Sequence, residues 1–139
     1  MAITTAMCTS FKQECLEAEH DFTADTFKVA LYTSSATLGA STTAYSTTNE
    51  VSGTGYTAGG KTLTTVAPTS SGTTAYVDFN DVSWTSSTIT ARGMLIYNSS
   101  KSNKAVAVYD FGSDQTSSSS TFNITMPTAA AGTAIVRIA

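Results

Sequence analysis

From Phe27 onward, apolar residues recur at every second position, and that period of two dictates extended chain rather than helix. Phe27, Val29 and Leu31 alternate with Lys28, Ala30 and Tyr32. Ala75, Val77 and Phe79 alternate with Tyr76 and Asp78. Ile89, Ala91, Gly93, Leu95 and Tyr97 form one face of a long strand, with Thr90, Arg92, Met94 and Ile96 on the other. Its second half is apolar on both faces, which predicts a central position in a sheet. Residues 105–111, 121–126 and 134–138 continue the pattern, and residues 61–66 and 82–84 are shorter candidates. In residues 121–126, Phe122, Ile124 and Met126 take one side, and Thr121, Asn123 and Thr125 the other.

The period is different only at the start. Cys8, Phe11, Cys15, Ala18 and Phe22 recur at spacings of three and four, so residues 5–19 are expected to form one helix with a single apolar stripe. Ser10 and Gln13 have capping-box spacing and allow a start as late as Ser10. Such a helix must lie on a sheet, from its own chain or from a neighbouring subunit. About eight strands at even spacing, with one N-terminal helix, predict a mainly β fold: an antiparallel β-sandwich, jelly-roll or Ig-like. At 139 residues, 1–139 reads as a single domain with an N-terminal arm or helix at about residues 5–20.

Composition narrows function mainly by exclusion. Roughly a third of the chain is Ser or Thr, and only 12% is charged, against about a quarter in a typical soluble protein. Thr keeps β-propensity on a wet sheet face without charge, so architecture explains much of this excess. The net charge is −3 and the seven basic residues are scattered, which argues against nucleic acid as a partner. No stretch approaches the ~20 apolar residues of a membrane span, so no membrane partner is expected. The first residues lack the basic and apolar segments of a secretory signal, and synthesis in a cytoplasm is expected.

Catalytic constellations are not legible. His20 is the single histidine, and its neighbours Glu19 and Asp21 would point away from it on a helix, so no Ser–His–Asp arrangement forms. A dipole contact at the helix end, or simple packing, accounts for it. Cys8 and Cys15 would lie about 10 Å apart along a helix axis, too far for a disulfide, and read as small buried apolar residues. Asp78 and Asp81 flank a turn that they could cap. The glycines of residues 53–60 miss both phosphate-loop patterns and read as a turn into a strand. No catalytic residue, metal ligand or cofactor site is therefore expected, and the chain is read as a non-enzyme. Trp84 and the tyrosines read first as core and sheet packing. Tyr45 and Tyr56 are the exceptions, because residues 34–60 form a long Ser/Thr/Gly/Ala-rich stretch without alternation, of the kind that is functional or flexible. That stretch and the polar segment 114–120 are the candidate contact surfaces.

Several segments are familiar. They are residues 2–22 followed by Asp25-Thr26-Phe27-Lys28-Val29-Ala30-Leu31-Tyr32, Ala44-Tyr45-Ser46 through Asn49-Glu50-Val51 to Gly59-Gly60, Ala91-Arg92-Gly93, and Leu95-Ile96-Tyr97-Asn98. Together they resemble a family of small virion structural proteins of tailed bacteriophages, over nearly the whole chain. Members of that family carry an aliphatic residue where this chain has Cys15. The resemblance implies a virion location and, as leading function, a capsid decoration (cement) protein. Its partners would be the major capsid protein or other virion proteins, and it would be a homo-oligomer, with a trimer favoured. The contact elements would be the N-terminal helix and the long stretch, with Phe11, Tyr45, Asn49, Glu50 and Tyr56 as contact candidates. The alternatives are a tail, collar or fibre-associated virion protein contacting the host surface, and a carbohydrate-binding adhesin module using Tyr45 or Trp84.

Overall fold

A computed structural model describes residues 2–139, which form a mainly β fold of two antiparallel sheets and one short helix. The elements are β1 (Ala6–Met7), α1 (Thr9–Leu16), β2 (Phe27–Tyr32), β3 (Lys61–Thr62), β4 (Thr65–Ser71), β5 (Thr74–Phe79), β6 (Val82–Asn98), β7 (Lys104–Ile124) and β8 (Val136–Ile138). One sheet has the order β1-β7-β6-β2-β3, the other β4-β5-β8. β6 is central, flanked by β7 and β2, as the two apolar faces of its second half require.

One core joins the two sheets. Phe27 of β2 lies 5.8 Å from Phe79 of β5, and Phe22 stacks on Phe27 at 4.4 Å in parallel planes. Trp84, Phe122, Ile124 and Met126 continue the core along β6 and β7. Thr121, Asn123 and Thr125 face solvent, in the alternation expected of them.

The helix is shorter than its stripe predicts. Ala6 and Met7 pair with Val108 and Ala107 of β7, and the Cys8 amide bonds the Val106 carbonyl, so the chain is extended until Cys8. At the other end Ala18 takes φ 59°, and the Glu19 amide bonds back to the Glu14 carbonyl, which closes the helix in a left-handed cap. Only part of the stripe is covered: Phe11 is 1% exposed, with its ring 4.9 Å from His20 and 6.0 Å from Phe22, while Ala18 is exposed.

The polar segment expected as a contact surface proves to be strand. Residues 114–120 are strand, so two expected β-segments become the single β7, and residues 82–84 and 89–97 likewise join into β6. Register shifts between Trp84 and Ile89 absorb the irregularity. Ser86 and Ser119 take φ 49° and 47° there, and the chain bulges rather than turns. Inside the bulge Ser87 and Ser117 are buried, their hydroxyls 2.8 Å apart, and the Ser117 hydroxyl accepts the Ile89 amide. Residues 61–66, by contrast, divide between β3 and β4. The β6–β7 connection is short, with Ser102 and Asn103 both left-handed.

Residues 33–60 contain no named strand but are tied down throughout. Leu38 bridges Ile3, Ala44 bridges Lys104 and Glu50 bridges Tyr32. The Val51 amide bonds Leu31, and the Thr88 amide bonds Thr54 beside the outer half of β6.

Candidate functional site

The contact candidates Tyr45, Glu50 and Tyr56 converge on one node. The Glu50 carboxylate accepts the Tyr45 hydroxyl on Oε2 at 2.7 Å, and on Oε1 the Tyr56 hydroxyl at 2.7 Å and the Gly59 amide at 2.8 Å. The Tyr56 hydroxyl in turn accepts the Leu31 amide of β2 at 2.9 Å. Tyr97 donates to the Gly59 carbonyl at 2.7 Å, and Tyr45 stacks on Tyr97 at 4.7 Å. Tyr32 closes the group by donating to the Ser46 carbonyl at 2.6 Å. Burial pushes all four phenols up, that of Tyr97 to about 12, and the Glu50 charge raises each of them further. Every polar atom here is used internally, so the node fixes residues 33–60 on β2 and β6 rather than presenting aromatic faces outward.

The other two candidates lie elsewhere. Phe11 belongs to the core. Asn49 is exposed with φ 59°; its side chain donates to the Ser35 carbonyl and its own carbonyl accepts the Thr33 amide, so it shapes a turn. Trp84 is 2% exposed, with Tyr56 at 5.8 Å and Phe122 at 6.1 Å, which removes it as a sugar-stacking platform.

His20 sits past the helix end, and its side chain has no exposed surface. Its tautomer follows from its neighbours. The Ser100 amide donates to Asn98 Oδ1 at 3.0 Å, and Asn98 Nδ2 donates to Asp25 Oδ2 at 2.8 Å, which fixes the orientation of the Asn98 amide. Asn98 Nδ2 also lies 3.0 Å from His20 Nδ1, which must then be an acceptor. The ring proton is on Nε2, donated to Glu14 Oε1 at 2.9 Å. Lys104 completes the cluster through Glu19 at 3.0 Å and Glu14 at 3.8 Å. This network fastens α1 to the β6–β7 connection. Sequence reasoning missed it because Glu14, Asp25, Asn98 and Lys104 are scattered along the chain.

No group of three or more His, Cys, Asp or Glu converges as a metal site among the described residues. Cys8 and Cys15 are free thiols. Asp78 is 1% exposed; its Oδ1 accepts the Phe79 amide at 2.8 Å, Oδ2 has no hydrogen-bond partner, and burial raises its pKa. Asp81 Oδ1 accepts the Met126 amide at 2.7 Å, a long-range contact rather than the cap expected of it on the turn it flanks.

The surface has two concave features of interest. One is a small apolar groove of about 160 Å³ where α1 meets the second sheet, lined by Cys15, Phe22, Ala75, Val77 and Val136 among others. Leu16, 91% exposed, follows Cys15 in the helix, and Ile138, 64% exposed, is part of the lining. The other is a cleft of about 430 Å³ along the outer part of β7. Among the described residues no helix is long and apolar enough to cross a membrane. Comparison of the chain with protein-family models, with curated proteins and with solved structures finds no match.

Proposed function

We propose that this chain is a structural protein of a tailed-bacteriophage particle, a capsid decoration protein that reinforces the assembled head. The observation that carries this reading is how the chain distributes its chemistry. One oxygen of the buried Asp78, the His20 ring and the Glu50 carboxylate are turned into internal contacts. The outside is a sheet surface of Ser and Thr with open strand edges. β1 covers Val108 and Ala107 of the outer edge of β7, and Cys8 and residues 43–44 cover 104–106, so among the described residues the edge from Phe111 onward lacks a strand partner. The exposed Leu16 and Ile138 beside the apolar groove add a second contact region suited to a protein partner. The resemblance to small virion proteins agrees with this distribution.

The mechanism is linkage. A protein that binds only the expanded, assembled shell lowers its free energy relative to loosened states, by an amount set by concentration over dissociation constant. The major capsid protein is the partner, and a homotrimer matches a threefold site.

The test is the copy number of this chain in purified particles of the virus that encodes it, measured by quantitative mass spectrometry against the major capsid protein. One copy per capsid subunit, or one trimer per threefold site, is the expected result. A handful of copies would place the chain in the tail or collar instead, and absence from the particle would overturn both virion readings.

A further inference from the structure

The cleft along β7 is lined by uncharged polar residues and one half-buried aromatic ring. Thr121, Asn123 and Thr125 stand along it as an exposed row. In extended chain they are about 6.6 Å apart. None of the three makes a side-chain hydrogen bond to another described residue. The row thus presents two hydroxyls and a carboxamide, each able both to donate and to accept. Phe122 and Ile124 alternate with the row and turn their side chains into the core, so the half-buried Phe111 supplies the ring at the edge of the cleft. Gln115 adds a second carboxamide, held by its nitrogen to Ser113 and leaving its oxygen free. The bulge at Ser87 and Ser117 bends the strand between the two halves of this lining.

Among the described residues none that is charged lines the cleft. Together with a net charge of −3, this gives no purchase for phosphate, sulfate or a polyanion. A volume of about 430 Å³ suits a small ligand. A standard protein–protein interface needs about 20–30 residues a side, far more than this cleft provides. Paired donor–acceptor groups beside the half-buried Phe111 ring match the hydroxyls and the C–H face of a pyranose. We propose that the β7 cleft is a binding site for an uncharged oligosaccharide, read by the Thr121–Asn123–Thr125 row and by Phe111. The site is distinct from Tyr45 and Trp84, and it does not depend on where in a particle the chain resides. On a virion exterior it would give weak, many-copy adhesion to a neutral surface glycan, in which avidity replaces affinity.

The experiment is an amide-resolved NMR titration of the full chain with maltohexaose, cellohexaose and chitohexaose, each to about 10 mM, since an open cleft with a handful of hydrogen bonds corresponds to a dissociation constant on the order of 1 mM. Saturable shifts confined to residues 111–116 and 121–125 are expected with at least one sugar. Asn123→Ala should weaken that binding about tenfold, the usual scale for losing one or two hydrogen bonds. Thr121→Val, which keeps the side-chain shape and removes the hydroxyl, should weaken it severalfold. Both positions are exposed, so the remaining amide spectrum should not change. Three outcomes would overturn the proposal: no saturable shift with any of the sugars, shifts mapping to another face, or equal binding by the Asn123→Ala variant. Broadening of the same amides by purified capsid subunits, with no response to sugars, would assign the cleft to a protein partner instead.

Discussion

Replacing Glu50 in two ways separates the hydrogen bonding of its carboxylate from its charge. Three donors converge on the carboxylate, the Tyr45 and Tyr56 hydroxyls and the Gly59 amide, at 2.7–2.8 Å. In Glu50→Gln the amide oxygen can keep the Tyr56 and Gly59 bonds, and the Tyr45 hydroxyl can turn to accept from the amide nitrogen. Geometry is retained while charge assistance is lost, so a cost of about 1–2 kcal/mol is expected. Glu50→Ala leaves all three donors without an acceptor. Gly59 is buried and both tyrosines are half-buried, so water replaces only part of what is lost. Each bond to a charged group contributes about 1.5–3 kcal/mol, and a discount for water gives about 3–5 kcal/mol in total. The diagnostic quantity is the gap between the variants, about 1–4 kcal/mol, or on the order of 3–12 °C in melting temperature for a chain of this size. Urea denaturation reads the free energies, and hydrogen exchange at the Gly59 and Leu31 amides reads the local loosening. Equal, small costs in both variants, with Gly59 still protected, would refute the idea that this carboxylate organises residues 33–60.

The tyrosines give a pH signature. Because burial raises the folded pKa of Tyr32, Tyr45, Tyr56 and Tyr97, their contribution is fully present below the unfolded value near 10. It is lost as pH rises through the folded values, at about 1.4 kcal/mol per pH unit for each such group. Absorbance at 295 nm should therefore show these phenols ionising together with loss of near-ultraviolet circular dichroism, in one cooperative step above pH 10; independent titration of all four in an intact fold would contradict it. Gly60 takes φ 76°, and a Cβ there would overlap the Val29 carbonyl in β2, so Gly60→Ala should cost more than about 3 kcal/mol or abolish soluble expression. Burial pushes the Cys8 thiol up to about 11 and Cys8 has no exposed surface, so iodoacetamide at pH 8 should modify Cys15 first and Cys8 only on unfolding. Mass spectrometry of peptides from timed samples would check that order.

Sequence pattern made the strands legible where one face is dry. Phe122, Ile124 and Met126 are buried against exposed Thr121, Asn123 and Thr125, as the pattern predicts, and β6 takes the central place that its two apolar faces require. It failed where two-residue facts decide the outcome. Ser86 and Ser119 adopt a left-handed conformation that glycine or asparagine would have signalled, so two serine-rich strand segments read as turns and tips. Ala6 and Met7 carry no β signature, and only their long-range pairing with β7 makes them a strand. The site was half legible. Tyr45, Glu50 and Tyr56 were singled out, yet their role is internal, because sequence shows that an aromatic lies in a loop but not which way it faces. Phe11 was offered outward for the same reason: a stripe shows that a helix must be covered, but not which sheet covers it.

The long β6–β7 ribbon also orders the folding reaction in time. Its two strands meet across a short connection in which Ser102 and Asn103 already supply the left-handed bend, so its first pairs form at almost no loop-closure cost. β2 must cross about 60 residues to reach β6, and β8 a similar distance to reach β5, so both add later. Zipping outward from Asn98 and Lys104 meets the Ser87–Ser117 bulge before the free end, and the register there must shift before pairing can resume. The segment beyond the bulge, which carries the Thr121–Asn123–Thr125 row, is therefore the last part of the ribbon to close, and its pairing is completed as Trp84, Phe122 and Ile124 enter the core.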